Sequence, residues 1–246
     1  MSKKLLTLLA LSASLVLNPA IASDDVHWSY DGKDGAKHWG ELDAKFKACS
    51  EGLNQSPINL RGFVEAELPA IKFNYSLKSN EILNNGHTIQ INMDAGSTIE
   101  VDGITFELKQ FHFHTPSENN INAKSFPLEA HFVHASAKGE LAVVAVMFEV
   151  GESNKALEVL WEKIPLNAGD KHTEVTNSVD ALLPKNKDYY RFNGSLTTPP
   201  CTEGVRWLVM KESISFSDAQ FKLFQKVMKY PNNRPIQATN ARIILQ

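Results

Sequence analysis

The chain has 246 residues, of which 43% are hydrophobic and 22% are charged, and its formal net charge at pH 7 is −3. This mild acidity, together with the lack of any basic cluster in the sequence, argues against nucleic acid as a partner. No apolar run reaches the ~18 residues that a membrane-spanning helix requires, so we expect no membrane span.

Residues 1–22 have the features of an export signal. Lys3 and Lys4 give it a charged start, an apolar run follows, and Ala20-Ile21-Ala22 forms a small-x-small cleavage pattern. We therefore predict a cleaved signal peptide and a periplasmic or secreted mature protein. Residues 23–246 contain no linker, repeat or low-complexity tract, so we expect them to form a single domain.

The chain has two cysteines, Cys49 and Cys201, which are far apart in the sequence. In an exported protein a disulfide between them is the default expectation, and neither has the CxxC spacing of a redox or zinc motif. Closing so long a loop would stabilise the fold by about 5 kcal/mol on the chain-entropy account. Two free thiols are the alternative.

Short β-strands dominate the pattern from residue 88 onward. Thr88–Met93 alternates between apolar and polar residues, and Ser97–Leu108 has the pattern of a hairpin that turns at Asp102-Gly103. Leu141–Val150 is continuously apolar, as in a central strand buried on both faces, and Val205–Met210 resembles it.

Helical periodicity is confined to two short segments. In Ser153–Trp161 the apolar residues fall on one side, and Ser217–Met228 opens with a capping box formed by Ser217 and Gln220. Many strands and few, short surface helices predict a sheet-dominated α+β domain. The pattern does not predict the order of the strands.

Two predicted strands, Gln110–His114 and Glu129–Val133, carry the most distinctive side chains. Side chains alternate between the two faces of a strand, so His112 and His114 share one face of the first, while His131 lies on one face of the second. Placed side by side, the two strands can present three imidazoles to one point. Three neutral imidazoles with an open fourth position are the ligand set of a catalytic zinc.

Gln110 and Glu129 support a metal site, because each lies two residues before a histidine on the same face. A ligating histidine usually donates its second ring N–H to a fixed acceptor. A carboxylate among aromatic residues at Glu129 is costly unless an N–H group or a cation holds it. His134 faces the other way from His131, and we predict that it is a packed or surface histidine and no ligand.

Six segments, taken together and in this order, resemble an α-class carbonic anhydrase of the secreted bacterial kind across essentially the whole of residues 23–246. They are His27-Trp28-Ser29-Tyr30, Gln55-Ser56-Pro57-Ile58-Asn59, Asn84-Asn85-Gly86-His87, Phe111-His112-Phe113-His114, Glu129-Ala130-His131-Phe132-Val133-His134 and Ser195-Leu196-Thr197-Thr198-Pro199-Pro200-Cys201. The resemblance implies a single domain built on a large, twisted, mostly antiparallel β-sheet. It also implies cis peptide bonds at Ser56-Pro57 and Pro199-Pro200.

The resemblance further implies one Zn²⁺ per chain. His112, His114 and His131 resemble the zinc ligands of the family. Gln110 and Glu129 resemble the acceptors that orient His112 and His131.

Two further residues resemble the family's catalytic groups beside the metal. Thr197 is similar to the residue that accepts a hydrogen bond from zinc-bound hydroxide and donates one to a buried carboxylate, here Glu118. Because a hydroxyl has a single proton, Thr197 can only accept from the hydroxide if it donates to Glu118. His87, just after the Asn85-Gly86 turn, resembles the proton shuttle, although on its own it would be interpreted as a solvated turn histidine.

The substrate pocket is also implied by the resemblance. Thr198 resembles the residue that steadies bicarbonate. The residues that resemble the apolar wall beside the metal are Val133, Val143, Leu196 and Trp207.

The implied function is the reversible hydration of CO2 to bicarbonate and a proton, by attack of zinc-bound hydroxide with a histidine proton shuttle. Hydrolysis of esters is an expected side activity. Anions and deprotonated sulfonamides are the expected inhibitors, and a homodimer is expected by analogy with related bacterial enzymes.

Two other kinds of protein compete with this interpretation. A cupin-like metal protein is partly matched by His112-x-His114 followed by Glu118, but Phe106 and Ser125 occupy positions where its motif has glycine. A non-catalytic binding protein related to the carbonic anhydrases is the second alternative. Such proteins usually lack a zinc ligand.

Overall fold

The computed structural model describes residues 26–75, 79–173 and 179–246, and the predicted export signal lies outside these ranges. The strands are β1 (Asn59–Leu60), β2 (Lys72–Asn74), β3 (Ser79–Asn84), β4 (Ile89–Met93), β5 (Thr98–Val101), β6 (Ile104–His114), β7 (Asn120–Ile121), β8 (Leu128–Ser136), β9 (Leu141–Val150), β10 (Lys171–Thr173), β11 (Tyr189–Ser195), β12 (Glu203–Met210) and β13 (Ile214–Phe216). The helices are α1 (Trp39–Leu42), α2 (Ala48–Glu51), α3 (Lys155–Trp161) and α4 (Asp218–Met228). Short 3-10 helices lie at Gly32–Asp34, Ala44–Phe46 and Val179–Leu182.

An 11-stranded sheet dominates the described chain, with the main order β10-β3-β4-β6-β8-β9-β12-β11. Its pairs are antiparallel except where β9 meets β12 and β13. β1 and β7 form a separate parallel pair. The prediction of a sheet-dominated fold with short helices is therefore confirmed. A cupin is a double-sheet jelly roll, and this single large sheet does not have that architecture.

The side chains of β9 pack into a different core on each face of the sheet. Its even-numbered residues, from Ala142 to Phe148, pack into a core with the apolar sides of α3 and α4. Its odd-numbered residues Val143, Ala145 and Met147 pack into a second core on the other face. The uninterrupted apolar run is thus the consequence of burial on both faces, as predicted.

The predicted local structures are found, with one small correction. The hairpin turns at Asp102 and Gly103, which have positive φ angles of 55° and 71° as a tight turn of this kind requires. The capping box of α4 is present. The helix predicted from Ser153 begins two residues later, at Lys155, because Asn154 is the N-cap and its side chain accepts hydrogen bonds from Ala156 N and Leu157 N.

The predicted disulfide joins Cys49 to Cys201, with a Cα–Cα distance of 5.0 Å. It packs in a small cluster with Trp39. The Ser56-Pro57 and Pro199-Pro200 bonds are cis, as expected, and Thr115-Pro116 is a third cis bond that was not predicted. None of the helices in the described ranges is long and apolar enough to cross a membrane.

Candidate metal centre

A β-bulge in β6 separates a core-facing half of the strand from a site-facing half. Phe106 and Leu108 pack in the same core as Phe111, although their numbers differ in parity. The pairing with β8 shifts between Leu108 and Gln110. Since a bulge inserts one extra residue into the alternation, Gln110 and the even-numbered residues after it face away from that core.

The register between β6 and β8 brings the three predicted histidines together. His112 lies opposite His131, and His114 lies opposite Glu129. The ring centroids of the histidines are 4.9 Å (His112–His114), 5.4 Å (His112–His131) and 4.6 Å (His114–His131) apart. One nitrogen from each ring lies within 4.8 Å of the other two. The strands therefore form the cluster that the sequence predicts.

Each imidazole is oriented by a hydrogen-bond acceptor that contacts the ring nitrogen pointing away from the cluster. Gln110 Oε1 lies 2.7 Å from His112 Nδ1, and Glu129 Oε1 lies 2.9 Å from His131 Nε2. The acceptor of His114 was missed in the sequence analysis. It is the backbone carbonyl of Asn232, 2.7 Å from His114 Nδ1.

These contacts assign the tautomers and test whether a metal fits. A backbone carbonyl can only accept, so His114 Nδ1 carries the proton and its Nε2 presents a lone pair. That Nε2 atom is buried and has no hydrogen-bond partner. Burial lowers the pKa of all three imidazoles and keeps them neutral, and neighbouring histidines lower the pKa of His112 and His131 further. Three neutral imidazoles with one nitrogen each close to the other two, two of the rings buried and that of His112 half-buried, fit a zinc ion with an open fourth position.

The buried carboxylate of Glu129 accepts the hydrogen bonds that a buried carboxylate needs. Asn119 N donates to Oε2 at 2.8 Å, and Asn119 Nδ2 donates to Oε1 at 2.8 Å. Burial raises the pKa of Glu129 to about 7, against the lowering effect of these two hydrogen bonds. Asn119 is a second contributor that the sequence pattern did not indicate.

Glu118 lies beside the histidine cluster and is completely buried. Its Oε1 accepts a hydrogen bond from Arg234 N at 2.8 Å. Its Oε2 accepts no hydrogen bond of ordinary length and lies 3.5 Å from His114 Nε2 and 3.8 Å from His131 Nδ1. Burial raises the pKa of Glu118 to about 8, while the Arg234 N–H and the nearby Thr197 side chain lower it. A cation bound by the histidines would favour the ionised carboxylate.

Thr197 lies in a tightly closed loop. Leu196 N donates to Thr202 O at 2.9 Å, and Cys201 N donates to Thr198 O at 2.9 Å. The disulfide anchors the same loop at Cys201. Thr197 is buried and Thr198 is half-buried, and the Thr197 side chain is near enough to Glu118 to lower the pKa of that carboxyl.

The four predicted apolar residues form one surface next to the histidines. Val133 pairs with Val143, which pairs in turn with Trp207 on the neighbouring parallel strand. The Trp207 ring lies 4.9 Å from the ring of His131, edge to face. Leu196 packs against the same cluster. The structure therefore brings the predicted wall to the metal-binding face of the sheet.

His87 is half-buried in a turn built by Asn85. The Asn85 side chain accepts a hydrogen bond from His87 N at 2.9 Å. The imidazole stacks on Trp28, with centroids 3.7 Å apart and planes at 8°. The His87 carbonyl accepts from Asn232 Nδ2 at 3.0 Å. Burial, and then the nearby His27, lower the pKa of His87 from its ordinary value.

Comparisons with known proteins agree on one family. The model of the eukaryotic-type carbonic anhydrase family matches residues 34–246. A carbonic anhydrase of Pectobacterium carotovorum is 47% identical over 241 residues, which cover 96% of this chain and 98% of that protein. A solved α-carbonic anhydrase of Thermovibrio ammonificans, in complex with the inhibitor sulfanilamide, has a TM-score of 0.88 and 46% identity, covering 90% of this chain and 99% of that one. The α-carbonic anhydrase of Photobacterium profundum has a TM-score of 0.84 and 53% identity, covering 89% of this chain and all of that one (100%).

Proposed function

The chain belongs to the eukaryotic-type, or α-class, carbonic anhydrase family, whose function is the hydration of CO2, and we propose that it performs this reaction with one zinc ion held by His112, His114 and His131. One observation carries the assignment of the ligands. Three neutral imidazoles, two of them buried and the third (His112) half-buried, bring one nitrogen each close to the other two, and the second nitrogen of each ring is hydrogen-bonded to an acceptor. A non-catalytic relative that has lost a ligand would lack this arrangement.

When bound, zinc lowers the pKa of a coordinated water to about 7, a figure for which carbonic anhydrase is itself the reference case, and so supplies a nucleophile at neutral pH. The protein's contribution is to orient the ligands. Gln110, Glu129 and the Asn232 carbonyl each hold one ring, which determines its direction and its tautomer. Three neutral ligands leave the positive charge of the metal uncompensated, which also favours anions as inhibitors.

Thr197 and Glu118 select the form of the nucleophile. If Thr197 donates its only proton in a hydrogen bond to an ionised Glu118, its oxygen can only accept, so Thr197 would hold a hydroxide at the metal by the hydroxide's own proton. A lone pair of that hydroxide would then be free to attack the carbon of CO2. Thr198, the next residue in the loop, steadies the bicarbonate product.

The apolar wall binds the substrate. CO2 has no charge and no hydrogen-bond donor, so a dry surface of Val133, Val143, Leu196 and Trp207 accepts it without displacing ordered water. The wall is continuous with a buried core, which keeps it rigid.

His87 moves the proton that hydration releases. An acid with a pKa of about 7 loses its proton to water at no more than about 10³ s⁻¹, since diffusion limits the reverse reaction to about 10¹⁰ M⁻¹s⁻¹. A histidine has an ordinary pKa of about 6.5 and can accept and release protons near neutrality. Its half-buried place on Trp28 leaves His87 in contact with both the protein and solvent.

Several properties follow from the same site. Esters are expected to be hydrolysed slowly, and sulfonamides are expected to inhibit, as sulfanilamide does in the Thermovibrio relative.

We also propose that residues 1–22 are removed on export to the periplasm or the medium, which the disulfide supports. N-terminal sequencing of the exported protein tests this. Light scattering tests the proposed homodimer.

The decisive experiment measures zinc content and CO2 hydration on the same purified protein. We expect one zinc per chain and fast hydration in the wild type. In His131→Ala we expect both to be lost, since one ligand is removed. His172→Ala is the matched control, because His172 is an exposed histidine on β10. Full zinc occupancy with unchanged hydration in His131→Ala would overturn the assignment.

A further inference from the structure

The segment from Asn232 to Arg234 has no regular secondary structure, yet it supplies two backbone groups to the metal centre. The Asn232 carbonyl accepts the hydrogen bond of His114 Nδ1 at 2.7 Å. Two residues later, Arg234 N donates to Glu118 Oε1 at 2.8 Å. The position of this short segment therefore decides the orientation of one candidate ligand and of the carboxylate beside it.

The Asn232 side chain fastens one end of the segment to the strand that carries the ligands. Its Oδ1 accepts from Thr115 N at 2.7 Å, and its Nδ2 donates to Phe113 O at 2.8 Å and to His87 O at 3.0 Å. Asn232 is completely buried. These bonds join the segment to the end of β6 and to the turn that holds His87.

The Arg234 side chain fastens the other end. Its Nη1 donates to Gln55 Oε1 at 2.8 Å and to Ser56 O at 2.7 Å, and its Nη2 donates to Cys49 O at 2.8 Å. The guanidinium also lies 5.6 Å from the centre of the Trp39 ring. Arg234 is therefore held by two backbone carbonyls, one side-chain amide and an aromatic face.

Burying a charged arginine in this position costs free energy. Only 1% of Arg234 is exposed, and none of its three hydrogen-bond acceptors carries a charge. Burial lowers its pKa to about 10, while Glu118 raises it, so the side chain is charged at neutral pH. An apolar side chain of similar volume usually costs less at a buried position than a charged one. The arginine is accordingly explained better by what it positions than by the stability it adds.

We propose that Arg234 is a positioning residue of the catalytic site: its guanidinium anchors the 232–234 backbone so that the Arg234 N–H orients Glu118 and the Asn232 carbonyl orients His114. The inference rests on the proposed function, because Glu118 acts on the reaction only through Thr197. Arg234 touches neither the substrate nor the metal position. Its effect passes through the backbone of its own segment.

Arg242 provides a matched control in the same C-terminal stretch. Its guanidinium also donates three hydrogen bonds, to Thr239 O at 2.9 Å, Asn193 O at 3.2 Å and Ala238 O at 2.6 Å. Burial lowers its pKa as well. It binds no group of the metal centre. Replacing either arginine by methionine therefore removes a similar set of bonds, but only one set leads to the site.

The test compares Arg234→Met with Arg242→Met under conditions where both are fully folded. We expect kcat/KM for CO2 hydration to fall about 10–100-fold in Arg234→Met, the range for loss of an orienting contact around a metal, and to change less than about twofold in Arg242→Met. Zinc release to a chelator should be faster only in Arg234→Met. Equal zinc-release rates in the two variants would overturn the positioning role, whereas absent hydration in the wild type would overturn the proposed function instead.

If Arg234→Met does not fold, Arg234→Lys is used in its place. Lysine keeps the charge, but its point-like ammonium cannot reproduce the planar fork that reaches Gln55, Ser56 and Cys49 together. We expect this variant to lose kcat/KM and to release zinc faster than Arg242→Lys. Full recovery by lysine would show that the charge alone matters, and the anchoring role would then be rejected.

Discussion

Leu108 and Gln110 are two residues apart on one strand, yet they point to opposite faces of the sheet. Leu108 is buried in the core under the helices, whereas Gln110 binds His112 on the metal-binding face. The shift in pairing between them is the cause, because one extra residue reverses the alternation. The same strand can therefore contribute Phe106 and Leu108 to the core at one end and two histidines to the site at the other.

The orienting carboxylate is the first target for a test. In Glu129→Ala the acceptor of His131 Nε2 is lost, so the ring can rotate and its tautomer is no longer determined. We expect zinc affinity to fall about 10–100-fold, a range partly established on carbonic anhydrases themselves. Competition with a chelator measures it. Glu107→Ala is the control, because Glu107 is a half-buried carboxylate on the neighbouring strand β6 that pairs with Lys109. Equal zinc affinity in both variants would remove Glu129 from its role.

The apolar wall is tested by filling it. Val143→Phe places an aromatic ring between Val133 and Trp207, where CO2 is expected to bind. We expect kcat/KM to fall about tenfold or more, which corresponds to ~1.4 kcal/mol in the barrier, with zinc content unchanged. Stopped-flow hydration assays measure it.

Val144→Phe serves as the matched control for overpacking, since Val144 lies next in β9 and faces the opposite core. Val143→Ala, which empties the wall, should retain most of the activity. A Val143→Phe enzyme with normal kcat/KM would mean that CO2 binds elsewhere.

The role of His87 as a proton relay is tested by comparing kcat with kcat/KM. His87→Ala removes the base that exports the proton and leaves the attack on CO2 intact. We expect kcat to fall while kcat/KM stays nearly unchanged, and small buffers such as imidazole should restore much of kcat. A fall in kcat/KM without rescue would instead assign His87 to the substrate site or the fold. Unchanged kcat would return it to the status of a turn histidine.

The disulfide should stabilise the protein by restricting the unfolded chain. Cys49 and Cys201 are separated by 152 residues, so the closed loop is long. The chain-entropy account predicts a loss of up to about 5 kcal/mol in the free energy of unfolding when the bond is reduced or when both cysteines are replaced by serine. Denaturant unfolding of oxidised and reduced protein measures it. Identical midpoints would contradict the prediction.

His134 predicts a pH dependence of stability. It is fully buried, with Nε2 2.8 Å from Tyr75 Oη, and burial lowers its pKa to about 3. Because the unfolded value is about 6.5, the unfolded chain binds the proton first as the pH falls. The stabilising effect of a neutral His134 is therefore complete above about pH 6.5 and is lost toward pH 3, by at most ~1.4 kcal/mol per pH unit.

Replacing His134 with glutamine removes this titration. Between about pH 6.5 and 4.5 the free energy of unfolding of the wild type should fall more steeply than that of His134→Gln, and above pH 7 the two should differ by a constant amount. Denaturant titrations at several pH values measure the difference. Parallel curves across the whole range would mean that another group carries the proton.

Much of the fold and the centre of the site could be predicted from the sequence, because their signals are local. Alternation identified both histidine-bearing strands, and the continuous apolar run Leu141–Val150 identified a strand buried on both faces. The Asp102-Gly103 turn and the Ser217 capping box depend on neighbouring residues and were predicted in place. The two cysteines predicted their own pairing, since the chain contains no others.

The tertiary structure alone decided which groups support those residues. His114 is oriented by a carbonyl 118 residues away, and Glu118 by an N–H 116 residues away. The sequence does not identify such groups, because every residue has a backbone carbonyl and almost every residue has an N–H. Only folding determines which of them reaches the site. The bulge between Leu108 and Gln110 and the stacking of His87 on Trp28 are likewise outcomes of pairing and packing between distant segments, which local patterns do not encode.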